Sequence, residues 1–158
     1  MRPVAWAGAI VLLSLQTATA IAWDAQVTGP DVFGATKVFA STGGIRENLI
    51  VQCDSDKLLF IALLFPKKEF EAVNETPATL FVQIDSDSPQ KLTATLRSWN
   101  DNFAGIVVTD REVVARLVFG IEGSKQIVKV GYDIFGVRDS MEFSSRGSKK
   151  GLPAVSSG

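Results

Sequence analysis

Histidine is missing from the 158 residues of this chain, and cysteine occurs once, as Cys53. The first absence removes the commonest general base, the commonest zinc ligand and the usual pH switch. Serine–histidine and cysteine–histidine hydrolytic arrangements cannot be built from this chain alone. The single cysteine excludes an internal disulfide. An excess of charge of one sign is lacking too: 16 basic residues stand against 17 acidic, for a net of −1. That balance gives no electrostatic reason to expect nucleic acid or an anionic membrane as partner. The composition therefore argues against much of hydrolytic chemistry, and the chain is expected to be non-enzymatic, with no cofactor and no bound metal.

Long apolar runs are scarce. The first lies behind Arg2, where "VAWAGAIVLLSL" (Val4 to Leu15) precedes the small, uncharged "QTATAIA" (Gln16 to Ala22). The run is roughly 12 residues, whereas a membrane span needs about 20. Ala18-Thr19-Ala20 and Ala20-Ile21-Ala22 both fit the small-x-small rule of signal peptidase, so residues 1–22 read as a signal peptide cut after Ala20 or Ala22. No cysteine adjoins the cut to carry a lipid. No second long apolar run follows, so the processed protein is expected to be periplasmic or secreted and without a membrane span.

What the chain does have is period-2 hydrophobicity. "WDAQVT" (Trp23 to Thr28) and "TKVFAST" (Thr36 to Thr42) read as strands, separated by the turn chemistry of "GPDVFG". "LIVQC" (Leu49 to Cys53) and "KLLFIALLF" (Lys57 to Phe65) read as a hairpin around Asp54-Ser55-Asp56. The second run is apolar on both faces, as in a central strand covered on each side. "PKKEFEAVNETPA" is a loop between Pro66 and Pro77. "TLFVQIDS", "KLTATLRSW" and "FAGIVVT" form a meander across residues 79–109.

The period then changes. Asp110 caps a helix whose apolar face is Val113, Val114, Leu117, Val118 and Ile121, with Gly123 at its end. "QIVKVGYDIF" (Gln126 to Phe135) and "SMEFSS" (Ser140 to Ser145) close with a last hairpin. "RGSKKGLPAVSSG" (residues 146–158) has no periodic apolar pattern and reads as a disordered tail. The fold class is mainly β: an antiparallel β-sandwich or open barrel of about eight strands with one short α-helix, filling residues 23–145.

Few residues suggest chemistry. Cys53 sits in an apolar run without an adjoining cation to lower its pKa, so it reads as a buried free thiol. Asp54-Ser55-Asp56 and Asp85-Ser86-Asp87-Ser88 look like fragments of calcium loops. They lack the glycine and distal glutamate such loops need, and Asp and Ser are what turns use. Asn74-Glu75-Thr76 matches a glycosylation sequon. Asp101, Asp110 and Glu112 have no nucleophile or oxyanion donor beside them in sequence. Trp99 and Tyr132 could form an aromatic platform for a sugar or peptide, with core filling as the alternative. Lys67-Lys68 and Lys149-Lys150 are too short for a nucleic-acid patch.

The order of these parts resembles a known family. Trp23 opens the first strand, and "VQC", "LFVQID" and "SWNDNFAGI" follow in order, with the short helix, "IVKVGYDIF" and "MEFSS" behind them. This is similar to the periplasmic domain of type VI secretion-associated TagO/VasI-like proteins, over roughly Trp23 to Ser145. The resemblance implies a bacterial envelope or secretion accessory acting through protein–protein contacts. The runner-up is a small-ligand or glycan binding module using a cleft near Trp99. The family domain closes with a C-terminal helix carrying a second cysteine. Here "RGSKKGLPAVSSG" is expected to supply neither, so the resemblance makes Cys53 a disulfide half without its partner. The family's strand arginine is replaced by Gln83 or Ile84, and its acidic loop is reduced to Asp31.

Overall fold

The computed structural model describes residues 21–30, 32, 35–44, 46–54, 58–69 and 75–156. The proposed leader up to residue 20, Asp31, Ser55, Asp56 and Asn74 lie outside the described residues. Among the described residues there are nine strands: β1 (Asp24–Thr28), β2 (Lys37–Gly43), β3 (Asn48–Asp54), β4 (Leu59–Pro66), β5 (Thr76–Ile84), β6 (Gln90–Ser98), β7 (Phe103–Val108), β8 (Ile127–Ile134) and β9 (Val137–Ser144). A 3₁₀ turn covers Lys67–Glu69, and two helices follow, α1 (Arg111–Gly123) and α2 (Ser148–Ser156).

The expectation of a mainly β, antiparallel chain holds. All nine strands belong to one sheet in the order β1-β2-β3-β4-β7-β6-β5-β8-β9. Strands β5, β6 and β7 are joined by tight turns, and β7 comes back to lie beside β4, which is Greek-key connectivity. The sheet curls into a half-barrel. Its two ends approach each other where Phe143 of β9 comes against Gly43 of β2, and where the Trp23 amide donates to the Arg146 carbonyl at 2.8 Å. Gly43 sits at φ 128°, and a Cβ there would run into the Glu47 carbonyl oxygen and the Asn48 Cα, so only glycine fits this closure.

Alternation decides which residues line the inside. Leu80, Val82 and Ile84 of β5, Leu92, Ala94 and Leu96 of β6, and Val128, Val130, Tyr132 and Ile134 of β8 all join the main core. These are the sets that period-2 alternation places on one face of each strand. Helix α1 seals part of the concave side with Val114, Leu117, Val118 and Ile121, all buried. Its start is set by Asp110, whose carboxylate accepts from the Val113 amide at 3.1 Å. Gly120 lets the helix lie close to Ile84: a Cβ there would stand 2.7 Å from the Ile84 Cδ1.

Three expectations need correction. Residues 148–156 are not a disordered tail but helix α2, packed on α1 and on β1, β2 and β3. Glycine, lysine and proline obscure it in the sequence, because local propensity is poor. Burial supplies what propensity does not: Leu152 is fully buried, and Gly151 brings the helix backbone onto the small side chains of Ala25 and Ala40. The second correction is Pro77, which lies inside β5 rather than bounding the loop before it. It pairs with Thr95 of β6, while β8 begins pairing only at Thr79, so the residue without an N–H sits where one side of the strand is open. The third is Phe135, which leaves β8 and enters a two-residue turn with Gly136, at φ 52° and 84°.

Truncation of Leu152 to alanine removes a large anchor of α2 from a fully buried site. The expected cost is about 2–5 kcal/mol, read as a lower urea midpoint. A change under 0.5 kcal/mol would mean that α2 does not seal the core.

Candidate functional site

The two aromatic residues singled out in the sequence do not meet. Tyr132 is 7 % exposed and belongs to the interior, where its ring stacks on Phe65 of β4 with centroids 5.9 Å apart. Trp99 lies on the opposite, convex face. It is half-buried and meets Phe60 edge-on, centroids 5.8 Å apart at 65°. Core filling therefore accounts for Tyr132, and an aromatic platform built from both residues is not formed.

Trp99 has a structural reason for its place. The ring covers Gly105 of β7, where a Cβ would come 3.4 Å from Trp99 Cε3 and 2.7 Å from Leu64 Cδ2. With Phe60, Phe103 and Ile50 it roofs Ala62, Leu64 and Val107, a second and smaller apolar cluster. This explains why β4 is apolar on both faces. Its odd residues fill the interior, and its even ones are shielded by neighbouring large side chains rather than by another layer.

Cys53 is buried at 5 % exposure on the inner face, and its thiol lies 3.6 Å from the Asp54 carbonyl. It forms no disulfide.

The would-be calcium fragment at Asp85 is a clamp. Asp85 takes φ 51° at the end of β5, and its carboxylate accepts from the Ser124 hydroxyl at 2.7 Å and from the amides of Lys125, Gln126 and Ile127 at 3.0–3.2 Å. Its own amide donates to the Ile127 carbonyl. One side chain thereby ties the β5–β6 turn to the passage from α1 into β8. These donors, the Lys125 amide first and the Ser124 hydroxyl next, hold the carboxyl at about 2 against an ordinary 3.8. Among the described residues no cluster of three or more His, Cys, Asp or Glu could hold a metal ion. Asp101, Asp110 and Glu112 are exposed, and Asp110 is engaged as the cap of α1.

Two features were not singled out from the sequence. The convex face carries a depression of about 240 Å³ over Gly131, walled by Phe81 and the Lys129–Glu142 ion pair. Only a glycine interrupting the alternation of β8 hints at it. The second is the tip of the β8–β9 hairpin. Phe135 is 80 % exposed in the left-handed region, and Val137 beside it is 55 % exposed. Asp133 braces this tip by accepting from the Gly136 amide at 2.9 Å and from Arg138 Nε at 2.7 Å. The bond from Arg138, then that from Gly136, holds the Asp133 carboxyl below its usual range.

Because the folded Asp85 titrates below its unfolded value, its stabilising contribution is complete above about pH 4 and fades as pH falls towards 2. Asp85→Asn is expected to melt several degrees below wild type at pH 7, with the gap closing as both are brought to pH 2. A gap independent of pH would show that the carboxylate's charge does not hold the clamp.

No family model matches this chain, and no curated protein or solved structure matches it significantly.

Proposed function

We propose that this chain is an exported, non-enzymatic protein that works through contacts with another protein, as an envelope or type VI secretion accessory. The export half of the reading rests on Arg2 and the apolar run Val4 to Leu15, and the secretion link on the ordered motifs "VQC", "LFVQID" and "SWNDNFAGI". The contact half rests on Phe135. A bulky aromatic at φ 52° is unfavourable, by about 1–2 kcal/mol against a residue that tolerates the left-handed region. Asparagine or glycine would relieve that strain, and either would also remove an apolar ring from water. The chain instead holds a phenyl ring outward on a tip braced by Asp133. Strain kept at an exposed aromatic is the mark of a contact residue.

A second reading, binding of a small ligand or glycan, draws on the Gly131 depression with Phe81 as its apolar wall. It expects Phe81→Ala, and not a change at Phe135, to abolish binding of a soluble saccharide.

Phe135→Asn separates folding from contact. The variant is expected to unfold about 1 kcal/mol less readily than wild type while losing at least tenfold in recovery of its partner from an envelope fraction. Equal recovery by both proteins would remove the hairpin tip from the contact surface and leave the proposal without its main support.

A further inference from the structure

We infer that signal peptidase cuts this chain between Ala20 and Ile21, so that the mature protein begins at Ile21. This rests on the export reading, which leaves two bonds open: those after Ala20 and after Ala22 both have small residues where the peptidase requires them. The peptidase adds water across the Ala20–Ile21 amide, leaving a carboxylate on Ala20 of the leader and an ammonium on Ile21. It meets the chain before folding, so the two bonds differ in which product can complete the fold.

Residues 21–23 strap the seam where the two ends of the sheet approach. On one side Thr42 of β2, 2 % exposed, donates its hydroxyl to the Ile21 carbonyl at 2.8 Å. The Ile21 side chain lies over Gly44, where a Cβ would stand 3.9 Å from Ile21 Cδ1. On the other side, beyond β9, the Trp23 amide donates to the Arg146 carbonyl, and a Cβ on Gly147 would stand 3.5 Å from the Ala22 Cβ. A cut after Ala22 removes the first half of this strap. It leaves the buried Thr42 hydroxyl without its acceptor, which is unfavourable. It also converts the Trp23 amide nitrogen into an ammonium in a residue only 6 % exposed. That ammonium would keep the Arg146 carbonyl, but it would stand beside Gly147, whose carbonyl accepts from the Lys150 and Gly151 amides at the start of α2. This is the positive end of the helix, which also carries Lys149 and Lys150, and a cation is disfavoured there. A cut after Ala20 loses none of these contacts. Its ammonium falls on Ile21, which is 53 % exposed and keeps the charge in water.

The full chain, leader included, would be expressed in a Gram-negative host, and the N-terminus of the protein recovered from the envelope read by mass spectrometry. Ile21 is expected as the first residue. Trp23 in that place overturns the cut proposed here and leaves export standing. A leader still attached overturns the export reading, and the cut with it. The physical reason is tested separately on the two mature chains, residues 21–158 and 23–158. The shorter chain is expected to melt at least about 3 °C lower. Thr42→Val removes the stranded hydroxyl, so it should recover part of that loss in the shorter chain and give no gain in the longer one. Equal melting points, or the same effect of Thr42→Val in both chains, would show that the strap does not distinguish the two bonds and would overturn the inference.

Discussion

A wide antiparallel sheet with one apolar face must hide that face, and here most of the covering is done by curvature. The interior rows of β3 to β8 face one another across the half-barrel, as the stacking of Phe65 on Tyr132 shows. Curvature leaves two gaps, and the helices fill them. α1 brings a four-residue apolar face, and α2 brings Leu152 and the close approach allowed by Gly151. The ends of the sheet meet at Phe143 and Gly43, a contact that a single methyl group at Gly43 would disrupt. Hydrophobic burial drives this closure. Local polar fastenings such as Asp85 fix where each crossing segment enters the sheet.

That interior was largely legible in the sequence. The alternation of Leu80, Val82 and Ile84, of Leu92, Ala94 and Leu96, and of Val128 to Ile134 gives the inner face directly. The Asp110 cap and the spacing from Val114 to Ile121 give α1. What could not be read was structure dictated by distant neighbours. α2 owes its form to a notch made by Ala25 and Ala40, over a hundred residues away. The turn at Phe135 was hidden because a phenylalanine extends a strand pattern until its backbone must reverse. The convex roof over Leu64 was equally hidden, since a run apolar on both faces does not say what covers the second one.

The surface was less legible than the core for the same reason. Near-zero net charge is a property of the whole chain, and it conceals where the charges go. Lys149-Lys150 is too short to matter in sequence, and Lys125 is isolated. The fold sets both beside Arg146 at one depression. Likewise the exposed ring of Phe135 gains meaning only with its φ and its brace. The hairpin tip lies away from the interior, so a contact there would leave the curl undisturbed.

Cys53 reports on the closure directly, because it is the only thiol and lies on the concave face at 5 % exposure. The rate at which an aromatic disulfide reagent modifies it in native buffer, against the rate in denaturant, measures whether that face is sealed. The curled sheet predicts native labelling slower by orders of magnitude, with one thiol released per chain on unfolding. Native labelling as fast as that of the denatured chain would mean that the interior is open, and would contradict the fold on which the rest depends.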